Sequence, residues 1–188
     1  MKRYRRIVLA IGAGACALAL SACGSSGNLT YGDPLGPGYV KVAKLYYQVQ
    51  ISRELNPFSD EDSGYLQGLS ASQLALPTGD MWFGVFLQAY NTTSHPQTPA
   101  SDYYITDTLG ARFVPVTNPD PNSFTYKPAT IPPKGQLPSL TSLAYSGWTQ
   151  GEVLLFKFPY ATYSSRPLVL HIVNPLNPLK QSRIELDV

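Results

Sequence analysis

The sequence predicts an all-β sandwich, and three observations carry that prediction. Seventeen prolines among 188 residues leave room for few helices of ordinary length. Between the prolines run stretches in which apolar side chains recur at every second position, the period of a half-buried strand. Aromatic residues make up 12 % of the chain and charged ones only 14 %, a balance that suits a packed core and that a disordered tail lacks. Several short strands without intervening helices favour a sandwich or barrel over a βαβ fold.

The first element is a leader, residues 1–22. Lys2, Arg3, Arg5 and Arg6 precede an uncharged apolar run over residues 7–20 and the small pair Ser21-Ala22 before Cys23, the order of an export signal. About fourteen apolar residues are too few for a membrane-spanning helix, which needs about twenty. Leu20-Ser21-Ala22-Cys23 resembles a bacterial lipobox. That resemblance implies cleavage between Ala22 and Cys23 and a lipid on the Cys23 thiol, which would hold the protein at the extracytoplasmic face of a membrane. Cys16 falls in the leader, so the exported domain has no thiol for a disulfide, a zinc cluster or a nucleophile. The formal charge of +2 also belongs to the leader: from residue 23 onward ten basic residues face twelve acidic ones, a net of −2. No basic stripe is present, and nucleic acid is not an expected partner. Residues 23–40, rich in Gly, Pro and Ser, read as a flexible tether.

The domain, residues 41–188, then alternates. Over residues 45–55 the positions Leu45, Tyr47, Val49, Ile51 and Leu55 share one face, with Gln48, Gln50, Ser52 and Glu54 on the other. Residues 81–91 carry bulk on both faces, which places that strand in the middle of a sheet. Residues 103–108 and 111–116 flank a hairpin turn at Leu109-Gly110. Residues 153–158, 167–173 and 183–188 supply three more strands, with one or two others between 124 and 145. The insertion 56–78 breaks the pattern. Ser59-Asp60-Glu61-Asp62 reads as a helix start, and Tyr65, Leu66, Leu69 and Leu74 would cover one end of the sandwich. Residues 115–138 are proline-rich and read as an extended, irregular connection lying on the sheet.

From about residue 45 onward the order of features resembles a known family. The residues that carry the likeness are the strand ending in Asn91-Thr92-Thr93, the turn Asp107-Thr108-Leu109-Gly110, the Gly151, Phe156 and Pro159 spacing, and the closing Arg183-Ile184-Glu185-Leu186-Asp187-Val188. They are similar to the domain of exported bacterial lipoproteins of unknown function often named after a telomere-repeat-binding-factor-like accessory domain. The resemblance implies an immunoglobulin-like antiparallel β-sandwich on a lipidated N-terminal tether, at the cell surface or in a periplasm. It implies no catalytic residues.

Chemistry is sparse. His95 lies in a polar loop and His171 reads as a strand-surface residue; no G-x-S-x-G elbow accompanies either. No cofactor is expected, and Met81 is the only methionine after the leader. Asp60-Glu61-Asp62-Ser63-Gly64 has a faint likeness to a calcium loop, with Asp60 and Asp62 as the ligands of a weak site. The glycine comes one position early and no Glu stands at the twelfth, so a solvated helix start is the plainer reading. Tyr46-Tyr47 and Tyr103-Tyr104 send one ring to each face of a strand. Tyr46, Tyr103 and Tyr104 are therefore the candidates for an aromatic binding surface, against the plainer alternative of rings that cover a small sandwich. The sequence thus predicts a non-enzymatic, lipid-anchored interaction module whose partner is an envelope protein, or alternatively an envelope glycan or small ligand held by exposed tyrosines.

Overall fold

The computed structural model describes residues 38–186, so the expected leader, the expected cleavage point and Cys23 lie outside the described residues. Among the described residues nine strands follow in chain order: β1 (Val40–Val42), β2 (Leu45–Leu55), β3 (Asp80–Tyr90), β4 (Tyr103–Thr106), β5 (Arg112–Phe113), β6 (Gln136–Leu137), β7 (Glu152–Pro159), β8 (Leu168–Val173) and β9 (Gln181–Leu186). They form two antiparallel sheets. In the larger, β1, β2 and β3 are neighbours, and the far edge of β3 is shared by β7 along 80–87 and by β6 at Ala89 and Tyr90. The smaller has the order β5-β4-β8-β9.

The bulk on both faces of β3 explains its central place. Met81, Phe83, Val85, Leu87 and Ala89 point between the sheets and pack with Tyr47, Tyr103, Ile105, Phe156, Phe158, Leu170 and Ile172. Each fully buried side chain of this size contributes roughly 1.5–3 kcal/mol. Trp82 and Phe86 point the other way and are equally buried, within a second core on the outer face of the larger sheet.

That second core corrects two sequence expectations. The alternation of β2 does not run through on one face: Val49 pairs with Leu87 but Ile51 pairs with Phe86, so a bulge at Gln50 inverts every side chain that follows. Ser52 is buried, Ile51 is exposed, and Leu55 joins Trp82 on the outer face. The insertion, in turn, covers this outer face and not an end of the sandwich. Its helix α1 (Asp60–Tyr65) is capped by Ser59, whose Oγ accepts the Asp62 amide at 3.1 Å. Helix α2 (Ala71–Leu74) starts in a reciprocal Ser70–Gln73 capping box. Tyr65, Leu66 and Leu69 pack on Leu55, Trp82, Phe86, Val153 and Leu155, while Leu74 stays exposed.

The proline-rich connection runs beside β7. The Val116 amide donates to Leu155 O at 2.7 Å, Tyr126 N to Val153 O at 3.0 Å, and Val153 N to Phe124 O at 2.7 Å. These bonds occupy backbone groups that a bare edge strand would offer to another chain. Asn118 and Asn122 each donate Nδ2 to Gln67 O at 2.8 Å and so tie the connection to the insertion. Gly68 makes that approach possible: its φ is +89°, and a Cβ there would stand 1.8 Å from Asp120 O. Val40, the last residue assigned to the tether, is buried within β1, so the folded part begins slightly earlier than the sequence reading.

Candidate functional site

Between β6 and β7 the chain makes an excursion over residues 138–151. The short helix α3 (Leu143–Ser146) is capped by Ser142, whose Oγ accepts Tyr145 N at 3.2 Å, and it closes where Gly147 N donates to Leu143 O at 2.8 Å. Gly151 returns the chain to the sheet with φ +111°, where a Cβ would lie 2.9 Å from Leu87 N. Between these fixed points stands Trp148, 97 % exposed. It overhangs an open depression of about 540 Å³ lined by Asp60, Glu61, Gly64, Tyr65, Phe124 and Gly147.

The lining is built from the second core outward. The Tyr65 ring meets Phe86 and Phe124 edge-on, at centroid distances of 4.9 and 5.1 Å. Glu61 Oε1 accepts the Tyr65 hydroxyl at 2.9 Å, the Thr149 hydroxyl at 3.0 Å and Arg53 Nη2 at 3.3 Å. The same guanidinium donates to Asp62 Oδ1 at 2.6 Å, and Asn56 N donates to Asp62 Oδ2 at 2.8 Å. Burial alone would raise the Asp62 pKa, but the Arg53 guanidinium and the Asn56 amide outweigh it and hold the carboxyl below its ordinary value. Burial pushes the Tyr65 hydroxyl up, and the Glu61 carboxylate adds to it. The cleft thus offers an uncovered indole face, carboxylate oxygens beside it and an aromatic floor. Such a set can stack on an apolar ring face and accept hydrogen bonds from hydroxyls at its edge; no nucleophile with a partnered base lines it.

The tyrosines singled out in the sequence do not form a shared surface. Tyr46 is 7 % exposed and Tyr103 only 2 %, which corrects the expectation that they are available for binding. Tyr103 points between the sheets, where its hydroxyl bonds to Ala100 O at 3.0 Å and to the Tyr126 hydroxyl at 2.6 Å. These rings satisfy backbone groups at the rim of the core, the work of Tyr47 as well, whose hydroxyl accepts Ala100 N at 2.7 Å. Tyr104 is half-buried on the outer face of the smaller sheet, with the Arg112 guanidinium 3.7 Å from its ring centroid and the His171 ring stacked at 4.3 Å. Both of its faces are therefore taken.

His171 is also buried, not a strand-surface residue as the sequence suggested. Its Nε2 bonds with Thr106 Oγ1 at 2.9 Å, and burial together with Arg183 and Arg112 lowers its pKa. The calcium reading of Asp60 and Asp62 is corrected as well. Asp62 spends both oxygens on Arg53 and the Asn56 amide, and among the described residues no three His, Cys, Asp or Glu side chains come together as a metal site. Trp148 escaped the sequence reading because it lies on no periodic pattern. The available signal was a large aromatic flanked by Gly147 and Thr149 outside every strand.

No family model matches this sequence, and no curated protein does so either. Three solved structures are similar in fold, each over 79 % of this chain. An uncharacterized β-sandwich protein from Clostridium difficile 630 shares 11 % identity over 89 % of its own length, with a TM-score of 0.44. The ycdA protein of Bacillus subtilis, provisionally named a lipoprotein, shares 11 % identity with a TM-score of 0.45, and this chain spans 38 % of its length. The yjhA protein of Bacillus subtilis shares 9 % identity over 96 % of its length, with a TM-score of 0.45.

Proposed function

We propose that the protein is a non-catalytic binding module, lipid-anchored through Cys23 at the extracytoplasmic face of a membrane, that holds an envelope glycan in the Trp148 cleft. One observation carries the ligand assignment: an indole left 97 % exposed on a segment pinned by a helix cap and two glycines, next to the Asp60 and Glu61 carboxyls. A platform fixed in advance loses little freedom when a ligand stacks on it. Sugar rings supply the matching chemistry, an apolar face for the indole and hydroxyls for the carboxylates. The anchor rests on the lipobox-like Leu20–Cys23 segment. The sheets also support the immunoglobulin-like reading: β2-β3-β7 facing β5-β4-β8-β9 has the connectivity of an ABE sheet against a C′CFG sheet.

A protein partner is the second reading, and a specific observation favours it. Leu140 and Leu143, on the same excursion as Trp148, are also exposed apolar side chains.

Retention on purified insoluble cell wall tests the first reading. The full chain should be retained, soluble wall fragments should blue-shift the emission of exposed Trp148, and Trp148→Ala should lose at least about tenfold in retention, the loss of a stacking hot spot. Equal retention of Trp148→Ala would transfer the assignment away from the cleft.

A further inference from the structure

The β8–β9 hairpin is closed by a doubled triplet, Asn174-Pro175-Leu176-Asn177-Pro178-Leu179, followed by Lys180. Asn174 Oδ1 accepts Leu176 N at 2.8 Å, and Asn177 Oδ1 accepts Leu179 N at 3.2 Å. Backbone bonds from Asn177 N to Asn174 O, Lys180 N to Asn177 O and Asn174 N to Lys180 O complete the loop at 3.1, 2.8 and 2.9 Å. Two prolines restrict it further. This well-bonded loop holds Leu176 72 % and Leu179 96 % exposed. Single exposed leucines need no explanation, but two on one pre-organised tip point to a partner.

The charges around the loop identify that partner. Ser182 Oγ donates to Lys41 O at 2.8 Å, so the start of β9 lies beside β1. Strand register brings the Ala43–Lys44 turn, the end of β3 and β6 to the same end of the sandwich. Exposed Lys41, Lys44, Lys134 and Lys180 gather there, with Asp102 as the exposed acid among them. Toward the other end, where β2 and β9 finish and β3 begins, Glu54, Asp80, Asp107 and Glu185 are mixed with Arg112, Lys157 and Arg166. A domain with a small net negative charge thus carries its leucine tip on an end where lysines outnumber acids.

We propose that this end lies on an anionic lipid surface, with Leu176 and Leu179 seated among the headgroups and the lysines above them. Lysines near a membrane surface favour anionic lipid, and exposed apolar side chains sink into the interface. The proposal rests on the anchored reading only for bringing the domain to a membrane; the charges and leucines of this end are independent of it.

The test uses the full chain reconstituted into phosphatidylcholine vesicles with and without phosphatidylglycerol, carrying acyl-chain-brominated lipid. Trp148→Phe removes the exposed background. Leu179→Trp then reports on the loop, and Leu109→Trp, at the tip of the β4–β5 hairpin, on the opposite end. The Leu179→Trp reporter should be quenched several-fold more than Leu109→Trp, and more strongly with phosphatidylglycerol present. Equal quenching of the two would overturn the proposal. Mass spectrometry of the N-terminal peptide scores the anchor separately. A lipidated chain with equal quenching keeps the anchor and loses this inference; an unlipidated chain with selective quenching does the reverse.

Discussion

Replacing Glu152 with glutamine should stabilise the protein at neutral pH and leave it unchanged in acid. Glu152 sits opposite Leu87 on the inward face of β7, is buried, and accepts Lys127 N through Oε2 at 2.9 Å. Burial pushes its pKa from 4.5 up to about 7, against the lowering effect of the Lys127 amide and charge. A carboxyl that titrates higher in the folded than in the unfolded chain favours folding while protonated. Its stability is therefore fully present below pH 4.5 and is lost as pH rises through about 7. At about 1.4 kcal/mol per pKa unit, the ionised group costs roughly 3 kcal/mol above that window. Glutamine retains an oxygen for Lys127 N and removes the charge. Urea unfolding of both chains across the range from acid to mildly alkaline pH reads the difference directly. The gap should be near zero at low pH, widen between 4.5 and about 7, and level off at roughly 3 kcal/mol in favour of Glu152→Gln. A gap that does not change with pH would refute the reasoning, since it would mean that the carboxyl titrates alike in both states.

Other substitutions probe the outer layer. Gly68→Ala forces a Cβ against Asp120 O at a backbone angle that L-residues rarely adopt; it should cost about 2–4 kcal/mol in urea unfolding, and a cost below about 0.5 kcal/mol would show that the insertion and the proline-rich connection do not meet there. Arg53→Ala leaves Asp62 buried without its cation. Because the guanidinium is partly exposed, the expected loss is about 1–2 kcal/mol near pH 7, shrinking as pH falls through the Asp62 titration, because in the parent chain the depressed carboxyl contributes stability only above its folded pKa. A loss that persists unchanged in acid would assign the effect to packing on Phe86 and not to charge.

The strands were legible because their period is enforced by burial on at least one face. β2 shows how far that reasoning reaches. Its apolar residues continue through Ile51 and Leu55, so nothing in the pattern betrays the bulge; the outer core needs apolar residues after Gln50 as much as the inner core needs them before it. The same ambiguity misplaced the insertion. Tyr65, Leu66 and Leu69 announce that they must be buried, but not against which surface, and only the bulk of Trp82 and Phe86 on β3 hinted at a second interior. The tyrosine pairs failed for a related reason: a ring at the rim of a core serves as well to satisfy a backbone amide as to meet a partner, and the sequence does not separate the two. Trp148 was invisible to periodicity because the segment that holds it follows no period.

β3 acts as a party wall between two interiors, and this limits how the protein can change. Phe83 and Phe86 are three residues apart, yet one belongs to the space between the sheets and the other to the layer beneath the cleft. A larger or smaller side chain at either position disturbs its own room and, through the shared backbone, the room next door. New recognition specificity can therefore be written into the excursion that carries Trp148, or into the helices beside it, while the strand they lean on stays as it is. The loops are open to variation because the wall is not.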